Sequence, residues 1–258
     1  MNLNLAKKIA LVTGGSRGIG QGIVEGLASE GCTVVTCARN EDQLQSSVKE
    51  MQEKGYDVSG IATDITEKGA ADALIEHVVA QHGQIDVLVN NVGGNQRGEF
   101  DTLSDENWED LLNLNLTSHI RVSRAAVKNM KEHGSGSIVF IASIFGREAG
   151  GKGLSIYNTT KSAMISMAKI MAIELAGQGI RVNSVAPGSI RFPGGSWDKR
   201  CIQDPEGMAK FTEQNLPLGR FGSREEVANV VAFLASEKAS LVTGTCINVD
   251  GCQSKSLI

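Results

Sequence analysis

A phenol and an amine stand four residues apart in SIYNTTKSAMISMAKIMAIEL, at Tyr157 and Lys161. The run reads as a long helix, on which residues i and i+4 share a face. That pairing has a chemical use. A tyrosine titrating near ~10 is a poor base at neutral pH, and a neighbouring ammonium stabilises its phenolate and lowers that value. A shift of ~3 units corresponds to ~4 kcal/mol, large for one screened pair, so a second cation would have to contribute. Fourteen residues earlier, Ser143 closes the apolar run SIVFIAS, where its hydroxyl could bond a substrate carbonyl. Asn115 lies among apolar helix positions in WEDLLNLNLTS. Buried there, its amide needs partners, as a structural polar group or as a member of a water relay. A tyrosine and lysine alone could be two surface residues; with Ser143 they form a set able to move a proton at a carbonyl or alcohol carbon.

A second group of residues suits an anion. Thr13-Gly14-Gly15-Ser16-Arg17-Gly18-Ile19-Gly20 follows an apolar run and leads into a segment with Ile23, Val24, Leu27 and Ala28 at helical spacing. Glycines let backbone amides approach a pyrophosphate, and the free N–H groups of a helix N-terminus favour negative charge. The spacing Gly-x-x-x-Gly-x-Gly departs from the common dinucleotide fingerprint, but its place between first strand and first helix supports the same use. At the end of the second strand, an NAD site calls for an acidic residue near the ribose 2′-hydroxyl. Here stand Ala38 and Arg39, and a guanidinium suits a 2′-phosphate. Arg17 adds a second cation, whereas Glu41 and Asp42 read as first-turn helix residues. NADP(H) is therefore expected in preference to NAD(H).

The elements that must carry these groups alternate along the chain. KIALVT (8–13), TVVTCA (33–38), DVSGIA (57–62), IDVLVN (85–90), SIVFIAS (137–143), IRVNSVA (180–186) and TCINVD (245–250) read as short β-branched strands. Helix-length segments separate most of them, such as the ones holding Leu44, Val48 and Met51, or Ala73, Leu74, Val78 and Val79. Ser104 followed by Asn107 opens another, with Leu111 and Leu112. This is the pattern of an α/β fold: a Rossmann-type doubly wound parallel sheet of about seven strands with helices on both faces. Asn90-Asn91-Val92-Gly93-Gly94 then falls at a strand's carboxyl end, where open sheets bind ligands. Residues 188–204 show no periodicity and are expected to be an irregular lid.

Length and composition bound the rest. With 258 residues the chain fits one domain, 1–258, with a substrate lid around 188–216. A net charge of −4 and 4% aromatic content offer nothing to attract or stack nucleic acid, and no eighteen-residue apolar run suggests a membrane span. The five cysteines form no CxxC pair and no zinc spacing, so no metal is expected, and free thiols point to a reducing, cytoplasmic setting. Cys32 and Cys37 sit in apolar surroundings and are expected to be buried.

In these motifs, over essentially its whole length, the sequence resembles the short-chain dehydrogenase/reductase family. TGGSRGIG matches that family's TGxxxGxG turn, Asp64 in TDI its adenine-contacting aspartate beside Ile65, and NNVG its NNAG, with Val92 replacing alanine. Asn115, Ser143, Tyr157 and Lys161 fall on its catalytic tetrad. Pro187-Gly188 matches the turn facing the nicotinamide, with Ile190 near its carboxamide. LGRFGSREEVANVVAFLAS and VTGTCINVDG match the C-terminal part, where Cys252 replaces the last glycine of DGG. The resemblance implies hydride transfer, with Tyr157 donating the proton, Ser143 polarising the carbonyl, Lys161 bonding the cofactor ribose, and Asn115 holding a water. It implies cofactor contacts from Thr13, Gly14, Ser16, Arg17, Gly18, Ile19, Gly20, Asn91 and Gly93 besides those named, and a homotetramer or homodimer packed through 105–130 and 155–176.

The likeness is greatest to 3-oxoacyl-thioester reductases, with sugar or polyol dehydrogenases as the alternative. A redox sensor that binds NADP(H) without turnover is a third reading, and the complete tetrad weighs against it. Arg97, Arg147 and Arg191 stand on strand-end loops and suggest an anionic substrate. Reductases for acyl-carrier protein commonly place basic residues before the serine-bearing strand and late in the Tyr/Lys helix; here those segments hold Gly134 and Gln178, with Lys128 and Lys131 close by.

Overall fold

In the computed structural model, which describes residues 2–257, each apolar run becomes a strand. These are β1 (Ile9–Thr13), β2 (Thr33–Ala38), β3 (Val58–Ala62), β4 (Val87–Asn90), β5 (Gly136–Ile141), β6 (Ile180–Pro187) and β7 (Cys246–Val249). All six pairings are parallel. Parallel neighbours need crossovers long enough for a helix. The helices are α1 (Gly18–Ser29), α2 (Glu41–Glu53), α3 (Ala70–His82), α4 (Asp105–Leu112), α5 (Ser118–His133), α6 (Ser155–Leu175), α7 (Ser196–Gln203), α8 (Pro205–Asn215) and α9 (Arg224–Ala235).

The spatial order β3-β2-β1-β4-β5-β6-β7 places the reversal of winding between β1 and β4. Loops leaving those two strands diverge to opposite faces and open a crevice at their carboxyl ends. Strand alternation divides the core in two. Ala10, Val12, Val87 and Val89 face α1, α2 and α9; Leu11, Leu88, Ile138 and Phe140 face α3, α5 and α6.

Local chemistry sets the helix ends. Asn40 caps α2 by accepting from the Gln43 N–H, so Glu41 and Asp42 are first-turn residues as their types suggest. Ser104 and Asn107 form a reciprocal capping box on α4, and Ser223 and Glu226 form one on α9. At the other end of α9, the Arg181 guanidinium donates to the carbonyls of Leu234, Ala235 and Ser236, where a cation meets the negative end of the helix.

The segment expected to form a lid is the main departure from the sequence reading. Residues 188–204 are not irregular throughout, because α7 and α8 form a helical pair in which Asp204 caps α8 and Pro205 takes its first turn. Trp197 stacks on Phe211 with ring centres 4.8 Å apart and meets Phe221 at 5.4 Å. Two short helices with their own aromatic centre show no long apolar stripe, which is why periodicity missed them. None of the three rings joins the two main cores. Trp197→Ala is therefore expected to speed proteolytic cleavage within 196–215 while lowering global stability by less than ~1 kcal/mol, against ~2–5 kcal/mol for Leu88→Ala in the sheet. Equal losses in urea unfolding would show that the lid and sheet unfold as one unit.

Candidate active site

Ser143 leaves the end of β5 in extended backbone and enters a short 3₁₀ turn, Ile144–Gly146, accepting the Phe145 N–H on its side chain. That turn lies directly on α6. A Cβ on Gly146 would come within 2.8 Å of the Lys161 carbonyl oxygen and 2.7 Å of Ile165, so only glycine permits the approach. The approach brings the Ser143 hydroxyl close to the Tyr157 phenol. Four residues on, the Lys161 Nζ reaches past the ring, 5.9 Å from its centre, and donates to the Ile141 carbonyl at 2.9 Å.

This geometry corrects one expectation. Burial pushes the Tyr157 phenol above its ordinary value, and the Ser143 hydrogen bond opposes that only in part. Lys161 does not set the direction of this shift; its ammonium donates to the Ile141 carbonyl. Burial instead draws Lys161 down to about 8. With the chain's own groups, Tyr157 is an acid holding its proton.

Asn115 sits fully buried in a π-helical segment, Asn113–Thr117, that joins α4 to α5. Its Oδ1 accepts from the Gly94 N–H at 2.8 Å, and its Nδ2 donates to the Gly94 carbonyl and to Thr160 Oγ1. These bonds fit the structural role of the two open to it. It ties the loop after β4 to α6. The same loop is held from its other side, where Asn91 Nδ2 donates to the carbonyls of Thr13 and Gly14.

A cleft of about 550 Å³ runs across the switch point from Arg39 to Tyr157. Gly14 and Gly18 have φ of 74° and 60°, and a Cβ on Gly20 would collide with the Gly14 carbonyl. Arg17, at the N-cap of α1, makes no side-chain cap, which leaves the first-turn N–H groups for another acceptor. Exposed Arg39 lies with Nη1 3.6 Å from Asp64 Oδ2, whose other oxygen accepts from Thr66. A long, glycine-floored groove with an open helix N-terminus midway and an arginine at one end fits an adenine dinucleotide with a 2′-phosphate.

Most residues assigned to the cofactor line this cleft, including Ser16, Ile19, Ile65, Gly93, Pro187 and Gly188. Thr13 and Ile190 do not. Thr13 is buried, with Oγ1 accepting from the Asn91 N–H, and Ile190 packs into the core beside Gly222. The sequence missed Asn40, Gln43, Asn95, Phe192 and Ser196 on the wall. Asn40 reads only as a cap, and Phe192 comes from the lid to lie over Gly18, a contact between distant segments without local signal. A larger hollow, about 1010 Å³, lies behind the lid and shares only Phe192 with the cleft, away from the tetrad. The arginines separate. Arg147 donates to the Cys246 carbonyl and Asn248 Oδ1 at the β7 edge, which makes it a strap rather than a wall of the cleft. Arg191 pairs with Asp198 inside the lid at 3.0 Å, and Arg97 is exposed. Cys32 and Cys37 are buried as expected, and burial pushes both thiols up to about 12.

Comparison with known proteins agrees with this arrangement. A family model described as enoyl-(acyl carrier protein) reductase matches residues 14–252. A 3-oxoacyl-[acyl-carrier-protein] reductase of Thermotoga maritima is 37% identical over 249 residues, covering 96% of this chain and 98% of the relative. A tropinone reductase homolog of Arabidopsis thaliana is 40% identical over 249 residues, covering 96% and 90%. The structure of L-sorbose reductase from Gluconobacter frateurii, complexed with NADPH and L-sorbose, superposes with a TM-score of 0.94 at 34% identity and full coverage of both chains.

The buried ammonium generates two measurable consequences. Its folded value of about 8 lies below the unfolded value, so folding bears the full burial cost below pH 8 and is relieved as pH rises towards 10. Lys161→Met is expected to raise stability by ~1–3 kcal/mol at pH 7, a gain that shrinks between pH 8 and 10, while abolishing turnover. In the parent, kcat/KM for carbonyl reduction should fall as pH passes about 8, where Lys161 loses its charge. A Met variant less stable than the parent at pH 7 would contradict the burial argument.

Proposed function

The chain belongs to the short-chain dehydrogenase/reductase family, and from that membership we propose that it is an NADP(H)-dependent reductase of 3-oxoacyl thioesters or closely similar oxo compounds. The observation that carries this is that one cleft is lined by Ser143, Tyr157 and Lys161 together with the glycine turn and Arg39. The nicotinamide coenzyme, when bound, supplies the hydride or accepts it. Ser143 and Tyr157 together offer two O–H donors to one carbonyl oxygen, so negative charge developing there is met by groups already in place. Tyr157 then releases its proton to that oxygen. Lys161 holds its Nζ 5.9 Å from the ring centre, where the nucleotide would lie, and in the alcohol-oxidising direction the phenolate takes the proton back. Asn115 contributes by holding Gly94 and Thr160.

NADP(H) is preferred on electrostatic grounds. The end of β2 carries no carboxylate to accept from a ribose 2′-hydroxyl, whereas Arg39 presents a donor fork to a phosphate. Reduction of a sugar or polyol-derived ketone is the second reading, favoured by the full-length likeness to L-sorbose reductase. An acidic substrate remains part of the proposal through Arg97, on the loop that Gly98 ties to Gly153 ahead of α6. A sensor without turnover would have no use for a buried ammonium beside a hydrogen-bonded phenol. The domain spans 1–258 with α7 and α8 as its lid. A homotetramer or homodimer fits Ile170 and Ile173 of α6, 52% and 67% exposed, and Ile120 of α5. No helix among the described residues is long and apolar enough to cross a membrane, and five free cysteines accord with a cytoplasmic setting.

Two measurements test the reading. Tyr157→Phe should lose roughly 10²–10⁴-fold in kcat while binding NADPH normally; undiminished turnover would end the acid–base assignment. Arg39→Ala should weaken NADPH by about 10–100-fold and leave NADH within about twofold, measured as kcat/KM on a panel of 3-oxoacyl thioesters, sugars and keto acids. Equal loss on both nucleotides would remove Arg39 from the 2′-phosphate site.

A further inference from the structure

His119 is fully buried on α5, one turn after Asn115, and none of the acid–base chemistry above uses it. Its Nε2 lies 2.7 Å from the Val92 carbonyl oxygen, and its Nδ1 lies 3.2 Å from the side-chain amide of Asn90. That amide in turn lies 2.9 Å from Ser123 Oγ. A carbonyl only accepts, so Nε2 carries the proton. Burial, and then the positive charge of Lys161, push the imidazole down to about 3, with the Val92 hydrogen bond opposing. The ring is therefore neutral and Nδ1 is a bare acceptor. Asn90 Oδ1 is the atom nearest Nδ1 and Nδ2 faces Ser123, so a neutral ring with its proton on Nε2 requires the amide turned over, its N–H to Nδ1 and its oxygen to the Ser123 hydroxyl. The two ends of an amide have nearly the same shape, so the same separations serve this orientation. The result is a directed chain: Ser123 to Asn90, Asn90 to His119, His119 to Val92.

The chain ends on the loop that separates the glycine turn from the ammonium. Val92 N–H donates to Thr13 Oγ1, and the Val92 side chain touches the space beside Gly14, 3.1 Å from where a Cβ on that glycine would stand. On the next residue, a Cβ would come within 3.4 Å of Lys161 Nζ and 3.3 Å of Asn115 Oδ1. Val92 and Gly93 thus stand between the glycine turn and Lys161. Rotation of the Val92–Gly93 peptide would shift this backbone relative to both, and the Val92 carbonyl, held by His119, resists that rotation. Val92 is also the residue that replaces the alanine of the related NNAG motif, which leaves the loop with a bulkier side chain to hold in register.

We propose that His119 is a positioning residue for nucleotide binding, acting by donating Nε2–H to the Val92 carbonyl and so fixing the Asn91–Gly94 loop between the glycine turn and Lys161. The proposal rests on the reading of the cleft as a dinucleotide site. It is tested by NADPH affinity from fluorescence titration, alongside thermal midpoints. His119→Gln carries an amide N–H to about the reach of Nε2, whereas His119→Asn stops near Nδ1 and His119→Leu has no donor. The Gln variant should bind NADPH within about twofold of the parent, and the Asn and Leu variants about five- to tenfold more weakly. KM for NADPH should rise in those two variants with kcat changed less than about threefold. In the parent, nitrogen-detected NMR should show one histidine fixed as the Nε2–H tautomer from pH 5.5 to 8. Gln and Asn variants of equal affinity, or a His119 that titrates near pH 6.5, would overturn the role of His119 alone. A parent that binds no NADPH would instead overturn the reading of the cleft. A Leu variant that fails to fold leaves the comparison of Gln with Asn to decide.

Discussion

The site depends on one buried charge. Lys161 is an ammonium taken out of water on α6, and its direct compensation is the Ile141 carbonyl at 2.9 Å, on the last residue of β5. Such a group costs stability wherever it is placed, and its geometry must be over-determined for it to persist. Gly146 supplies that determination. It lets the 3₁₀ turn lie flat on α6, so β5, Ser143, Tyr157 and Lys161 form a single rigid unit. The phenol and hydroxyl need no search to find each other. Their separation was set when the sheet packed.

The second constraint is steric and belongs to the backbone. Gly14, Gly15 and Gly20 sit where a Cβ would overlap the Gly14 carbonyl, Thr36 or Asn91, so the turn is closed upon itself before any ligand enters. Asn91 and Thr13 lock that turn to the end of β4, and Asn115 locks the end of β4 to α6. The nucleotide-binding half and the proton-transfer half are thus one hydrogen-bonded body. Such coupling lets a site assembled from residues 14 to 161 hold its groups in a fixed relation.

Much of this was legible in the sequence, for reasons that differ by element. β2 was readable to the residue because TVVTCA is β-branched, with Gly31 two residues ahead of it and Arg39 directly after. The capping box at Ser104 and Asn107 was readable because its chemistry is local. Gly14, Gly18, Tyr157 and Lys161 were readable because their spacing encodes a turn and a helix face. What could not be read depends on contacts between distant segments. The direction of the Tyr157 shift is one case, since it follows from how deep α6 lies. Arg147 is another, since only the fold shows that β7 claims its guanidinium. The lid helices are a third, because Trp197, Phe211 and Phe221 are apolar to one another rather than along any single helix.

The division between rigid site and separate lid has a physical logic. Groups that stabilise developing charge must not relax, because any reorganisation at the moment of reaction subtracts from what they contribute. They sit at the ends of β1, β4 and β5, between two cores whose side chains leave no room to adjust. Substrate must still enter and leave, and that freedom has to come from an element whose opening does not disturb either core. α7 and α8 meet this condition, since they hold themselves together through three rings and an Arg191–Asp198 pair. Phe192 is where the two regimes touch, resting on Gly18 where a side chain at that glycine would collide with its ring. The ring of Phe192, just ahead of α7, thus rests on the glycine turn, so any movement of α7 that carried Phe192 away would uncover Gly18.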